Sequence, residues 1–202
     1  MKRVIVIPII HNAADLGSLA ESVRAHYVQR FGLSVWDERQ RAVRDLWQGI
    51  RRAIDALHLD FRRVRIYQDG LPVCGKEEPI LQELAEAGSL NHQFVRELMG
   101  RGAVLVGTED PQLLIREYQL QRRRLGPEAH EATPSSLGGQ EARATADEAA
   151  DILAARDRFM AERIAATLQD NETGLLFLGA AHRLDAFRAA GVDVATLDGV
   201  RS

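Results

Sequence analysis

The sequence predicts an α/β fold in three layers, with a mostly parallel central sheet and helices on both faces. Three observations carry that expectation. Short, nearly continuous apolar runs recur along the chain, as in strands covered on both sides. Stretches of helical periodicity separate them, the alternation expected of βαβ units. The chain has 202 residues and 46% apolar content, enough for one substantial core.

Residues 3–10 (RVIVIPII) open the chain as a β-branched, buried strand. Residues 14–30 and 36–58 follow with helical spacing. In the second, Val43, Leu46, Trp47, Ile50 and Ile54 form one apolar stripe, and Asp37 and Glu38 suit the positive amino end of a helix. Residues 63–67 (RVRIY) form the next strand, and a turn-rich loop runs from Gln68 to Gly75. Helices over about 77–87 and 91–100 lead to a strand at 103–106, and Pro111 opens another helix as a first-turn proline.

Residues 125–145 carry two prolines and three glycines with few large apolar groups, which predicts a surface loop. Loops of that length in compact domains tend to be functional, and this one is a candidate lid. A long helix over 146–168 is expected next, with Thr145 or Asp147 near its cap. A strand at 175–178, a short helix at 183–190 and a terminal strand at 192–197 complete a single domain over 1–202.

Composition narrows the function classes. The net charge is −3 and most of the arginines sit beside Asp and Glu on helical stretches, so no basic patch points to nucleic acid. The lone Cys74 excludes an internal disulfide and a cysteine-based zinc knuckle, and it fits a reducing compartment. No signal peptide or membrane span is recognisable, and a cytoplasmic location is expected. There is no GxGxxG, no Walker phosphate loop and no serine nucleophile elbow, which disfavours dehydrogenase, NTPase and α/β-hydrolase chemistry.

Right-handed crossovers place the carboxyl ends of parallel strands on one edge, where ligands of open α/β sheets bind. The residues following the strands are therefore the candidates. They are His11 after the first, Asp69 after the second, Thr108-Glu109-Asp110 after the third and His182 after the fourth. Imidazole and carboxylate together suit a divalent metal such as zinc, manganese or iron, with a position left open for water. Each residue also has a plainer role. Either histidine can be a loop residue or a cap, Asp69-Gly70 is a common turn pair, and Asp110 ahead of Pro111 is placed as a helix N-cap. Glu109 has no such second duty. Arg156 can clamp an anion with its planar fork or pair at the surface with Asp151 or Asp157. Glu117 reads as an ordinary helix residue and Cys74 as an inert thiol.

The segment ARDRFMAERIAATL…GLLFLGAAHRL, residues 155–184, resembles the carboxyl-terminal signature of the TraB/Tiki superfamily of metalloproteases, linked to erythromycin-esterase-like and ChaN-like haem-binding proteins. That signature joins an R-[DN]-x-x-M-A-x-x-I helix to a strand ending in G-A-x-H. Arg156, Asp157, Met160, Ala161 and Ile164 match the first half, Gly179 and His182 the second. The resemblance places His11 at the GxxH position, where Pro8 stands for the usual glycine, and Glu109 at the glutamate closing a middle strand. It implies a metal-dependent hydrolase: His11 and His182 hold the metal, Glu109 ligates it or activates water, Arg156 orients the substrate and Asp69 is a further ligand. The substrate, a small molecule or a peptide, is left open. A second reading is a non-catalytic ligand- or haem-binding or regulatory protein with a degenerate site and a histidine as axial ligand. A third is a homodimer joined through the arginine-rich helix 36–58.

Overall fold

A computed structural model describes residues 2–10, 20–125 and 138–197. Five strands form one sheet: β1 (Arg3–Ile9), β2 (Val64–Gln68), β3 (Val104–Val106), β4 (Thr173–Gly179) and β5 (Asp193–Thr196). Every pairing is parallel and the order is β3-β2-β4-β1-β5. The helices are α1 (Ala20–Phe31), α2 (Leu33–Ala56), α3 (Glu77–Glu86), α4 (Leu90–Gly100), α5 (Pro111–Leu125), α6 (Gly138–Thr167) and α7 (Asp185–Ala189). The α/β expectation holds.

The two faces of the sheet are two separate packing problems, divided by the two-residue period of the strands. Ile5, Ile7 and Ile9 of β1, with Ile66, Leu175 and Phe177, meet the α2 stripe Val43, Trp47, Ile50 and Ile54 and α4 residues Phe94, Val95 and Leu98. Trp47, Phe94 and Phe177 pack ring against ring at about 6 Å between centroids. On the other face Val4, Val6, Tyr67, Leu176 and Leu178 meet Met160, Ala161 and Ile164 of α6, Leu168 just past its end, and Phe187 of α7. The stripe expected on α2 is thus spent on the core.

Pro8 inside a central strand needs a reason, since proline has no N–H for the ladder. Lys2 and Val6 accept from the β5 side, through Asp193 N–H and Leu197 N–H, so the alternating groups of β1 that include position 8 face β5. Pairing with β5 ends at Val6 opposite Thr196. Among the described residues, no partner strand therefore asks Pro8 for a donor.

Two helix starts differ from expectation. Helix α6 begins at Gly138, eight residues before the expected start, so Thr145 and Asp147 lie inside it and cap nothing. The Ala-, Glu- and Arg-rich stretch after the paired glycines has high helix propensity and dominates the loop-like composition around it. Of the expected 125–145 loop, residues 126–137 lie outside the described residues. Helix α2 begins at Leu33, which moves Asp37 and Glu38 out of its first turn, and of the expected 14–30 helix the described part is Ala20–Phe31. No helix of the described residues is long and apolar enough to cross a membrane.

The connections place a crevice at the end of β4. Chain leaving β1 and β2 turns to the α2–α4 face, whereas chain leaving β4 enters α7 on the opposite face. Where neighbouring strands send their connections to opposite faces, the sheet edge opens.

Candidate functional site

The edge is built from short backbone zippers that continue past the strands. Asp69 N–H bonds Phe177 O at 2.9 Å, prolonging the β2–β4 ladder by one residue. Gly70 then turns the chain with φ at +81°, a left-handed conformation that favours glycine. Beyond β3, Thr108 Oγ1 accepts from Gln68 N–H at 3.0 Å and donates to Val106 O at 2.9 Å. Glu109 is held by main-chain bonds to Leu71 and Val73 at 3.0 and 2.9 Å. Asp69 and Glu109 are thereby placed side by side. Gly179 ends β4 with a turn in which its carbonyl accepts from His182 N–H at 3.2 Å, and that turn brings the imidazole back over Asp69.

Arg156 reaches this edge from α6. Its side chain is 5% exposed, and it donates four hydrogen bonds to three carboxylates. Nε donates to Glu109 Oε2 at 3.1 Å and Nη2 to Glu109 Oε1 at 2.5 Å, a two-pronged contact. Nη2 also donates to Asp69 Oδ1 at 2.7 Å, and Nη1 to Glu117 Oε2. Glu109 is fully buried and also accepts from Gly70 N–H at 3.2 Å. Burial pushes its carboxyl up from the usual range, with Arg156 pulling the other way. The surface pairing of Arg156 with Asp151 or Asp157 does not form: the guanidinium lies inside the edge.

His182 is the second cationic group, its side chain 3% exposed. Nδ1 lies 2.6 Å from Asp157 Oδ1, and Asp157 Oδ2 accepts from Arg183 N–H at 3.1 Å. The carboxylate has only acceptors to offer, so Nδ1 is the donor. Nε2 then points at Asp69 Oδ2, 3.3 Å away, an oxygen that also accepts from Gly179 N–H at 2.9 Å. A bare nitrogen lone pair facing a carboxylate oxygen is repulsive, so a proton or another cation must lie between them. Burial disfavours the imidazolium, but the Asp157 and Asp69 contacts outweigh burial and raise its pKa to about 9.

The same geometry passes the test for a metal. Asp69, Glu109 and His182 each offer a ligand atom within 4.8 Å of the others. Two ligands of one tetrahedral zinc stand roughly 3.4 Å apart for the usual bond lengths, close to the separation between Nε2 and Oδ2. A histidine whose other nitrogen donates to a carboxylate is the common support of a metal ligand. The charges agree: Asp69, Glu109, Glu117 and Asp157 face one guanidinium and one imidazole.

Above this floor lies a cleft of about 650 Å³, lined by both polar and apolar side chains and including Asp69, Glu117, Arg156 and His182. Glu109 does not line it, because Arg156 covers both its oxygens. Glu117, 31% exposed, is the glutamate that reaches the cleft. His11 lies outside the described residues; Ile9 and Ile10, which precede it, line the cleft. Asp110 caps α5 as expected, accepting from Gln112 N–H at 2.7 Å. Cys74 is exposed.

Four of the five candidate residues, Asp69, Glu109, Arg156 and His182, therefore meet in one cluster. Two further members, Asp157 and Glu117, carried weaker signals. Asp157 adjoins Arg156 in the Arg-Asp pair of α6, and Glu117 lies on the helix that Pro111 opens. The chain matches no protein-family model, no curated protein and no solved structure.

Proposed function

We propose that the protein is a metal-dependent hydrolase whose site is the carboxyl edge of the sheet. The observation that carries this reading is the apposition of His182 Nε2 and Asp69 Oδ2 at 3.3 Å, with the far nitrogen locked on Asp157 at 2.6 Å. A proton or another cation can fill that contact, and the excess of carboxyl groups around it supports a divalent metal there. Asp69 and His182 would hold it; Glu109 offers an atom within 4.8 Å of both but gives its oxygens to Arg156. The metal would supply a water whose pKa is brought towards about 7.

The protein's own groups would do the rest. Glu117, at the cleft wall, would accept a proton from that water. Arg156 would fix Glu109, Asp69 and Glu117 relative to one another and restrain their mutual repulsion. Asp157 would keep the His182 ring oriented and its Nδ1 protonated. The alternative of haem on His182 requires Nε2 to leave Asp69.

The test is elemental analysis of protein purified without a polyhistidine tag, wild type beside His182→Ala. Near-stoichiometric zinc, manganese or iron in the wild type, absent from a variant that stays folded by circular dichroism, is expected, and ester and amide substrates are then screened with the loaded protein. Absence of metal from the wild type after incubation with excess overturns the reading. A Soret shift on titration with hemin would move it to the haem alternative.

A further inference from the structure

The cleft contrasts a charged floor with apolar walls, and this restricts what can enter it. Ile9, Ile10, Val23, Leu114 and Leu153 supply the walls. The floor holds more carboxyl groups than cations, and the guanidinium of Arg156 is already shared among three of them. An anionic group is therefore repelled from the floor, and a neutral bond is what approaches it.

One further cation lines the cleft. Arg39 of α2 is exposed, and among the described residues it makes no ion pair. Its guanidinium lies 5.5 Å from the centroid of the Tyr27 ring, and Tyr27 is itself packed on Trp36 at 5.5 Å. The aromatic support restricts a long side chain without neutralising it. A single planar fork, with no second cation among the described lining residues apart from Arg156 and His182, suits one carboxylate better than a multiply charged phosphate.

We propose that the cleft selects an amphipathic monocarboxylate: Arg39 binds the carboxylate, the apolar walls bind the body, and the neutral scissile bond lies towards Asp69 and His182. The inference rests on the hydrolase reading for the bond that is cleaved, and on Arg39 for the ligand that is chosen.

The test is calorimetric titration at low salt with octanoate and with octanamide, which share a chain and differ in charge. Wild type and Arg39→Gln are compared, each metal-free and zinc-loaded. Octanoate is expected to bind wild type about tenfold tighter than octanamide, as a charge-assisted two-pronged contact implies. In Arg39→Gln that preference disappears while octanamide binding is unchanged, which also shows that the cleft is intact. Added salt erodes the wild-type preference, because Arg39 is exposed. Equal binding of the two probes by wild type, or binding of neither, overturns the proposal. So does a preference that survives Arg39→Gln and appears only with zinc, since the carboxylate then sits on the metal. Failure of zinc uptake with the Arg39 preference intact would instead overturn the hydrolase reading alone.

Discussion

Both edges of the sheet carry an arginine tied to carboxylate, and they use it differently. At the amino edge Arg65 of β2 donates to Glu172 at 2.5 Å, and Glu172 also accepts from Gln169 N–H at 2.9 Å. The Arg65 contact holds the Glu172 carboxyl below its ordinary range. One charge meets one charge, part-exposed, and the contact joins the starts of β2 and β4. At the carboxyl edge Arg156 is buried and surrounded by three carboxylates, with His182 between two. A balanced pair clamps structure, whereas an unbalanced buried cluster has capacity left for a cation. Charge balance and burial, and not the presence of an ion pair, separate a brace from a site.

The sharpest way to break this comparison is to remove each arginine. Arg156→Ala leaves the buried Glu109 carboxylate without its counter-ion and Asp69 with His182 alone, and should cost roughly 3–5 kcal/mol. Urea denaturation measures it, and added zinc should restore part of the loss. A loss below about 1 kcal/mol would mean that the cluster is wetter than its burial indicates.

Asp157→Asn tests the orientation of His182. The amide can offer its NH₂ to Nδ1 or accept only a neutral hydrogen bond from it, so zinc affinity should fall about 10–100-fold by chelator competition while the fold persists. An unchanged affinity would remove Asp157 from the support of the site.

The next effect is one of pH on chelator-treated protein. Folding raises the His182 pKa to about 9 from an ordinary value near 6.5. Its stabilising contribution is complete below the unfolded value and is lost as pH rises through about 9. Stability measured from pH 6 to 9.5 should therefore decline, with a shallower slope in His182→Gln. Equal slopes would show that His182 gains no proton affinity on folding.

The smallest effect belongs to the amino edge. Arg65→Met should cost about 1 kcal/mol, as expected of a part-exposed pair, and leave metal content unchanged. A loss matching that of Arg156→Ala would erase the distinction between the two edges.

Much of this was legible in the residues before the fold was known. Runs such as Val4–Ile7 and Leu175–Leu178 are too apolar for an exposed strand, and the spacing of Val43, Trp47, Ile50 and Ile54 admits only a helix with one buried face. Those local patterns were sufficient for the α/β class, and chirality then brought the ends of β2, β3 and β4 to one edge. Asp69, Glu109 and His182 follow from that reasoning. The start of α6 was harder to read, because two glycines and a nearby proline resemble loop until the Ala-rich stretch is weighed with them.

Which charges are buried was another matter. Arg156, Asp157 and Glu117 share their helices with charged residues such as Arg116, Asp151 and Glu162 that stay exposed, and helical periodicity alone does not separate the two groups. Their roles come from contacts across 25 to 87 positions of chain, between Arg156 and Asp69 or His182 and Asp157. Arg39 is the same case, since only the packing of α2 beside the strand ends turns a surface arginine into part of the cleft wall. Local periodicity and chirality settle layers and edges because they act on neighbouring residues. Desolvation and ion pairing depend on what the folded chain places within a few ångströms, and so they arise only when the helices close over the sheet.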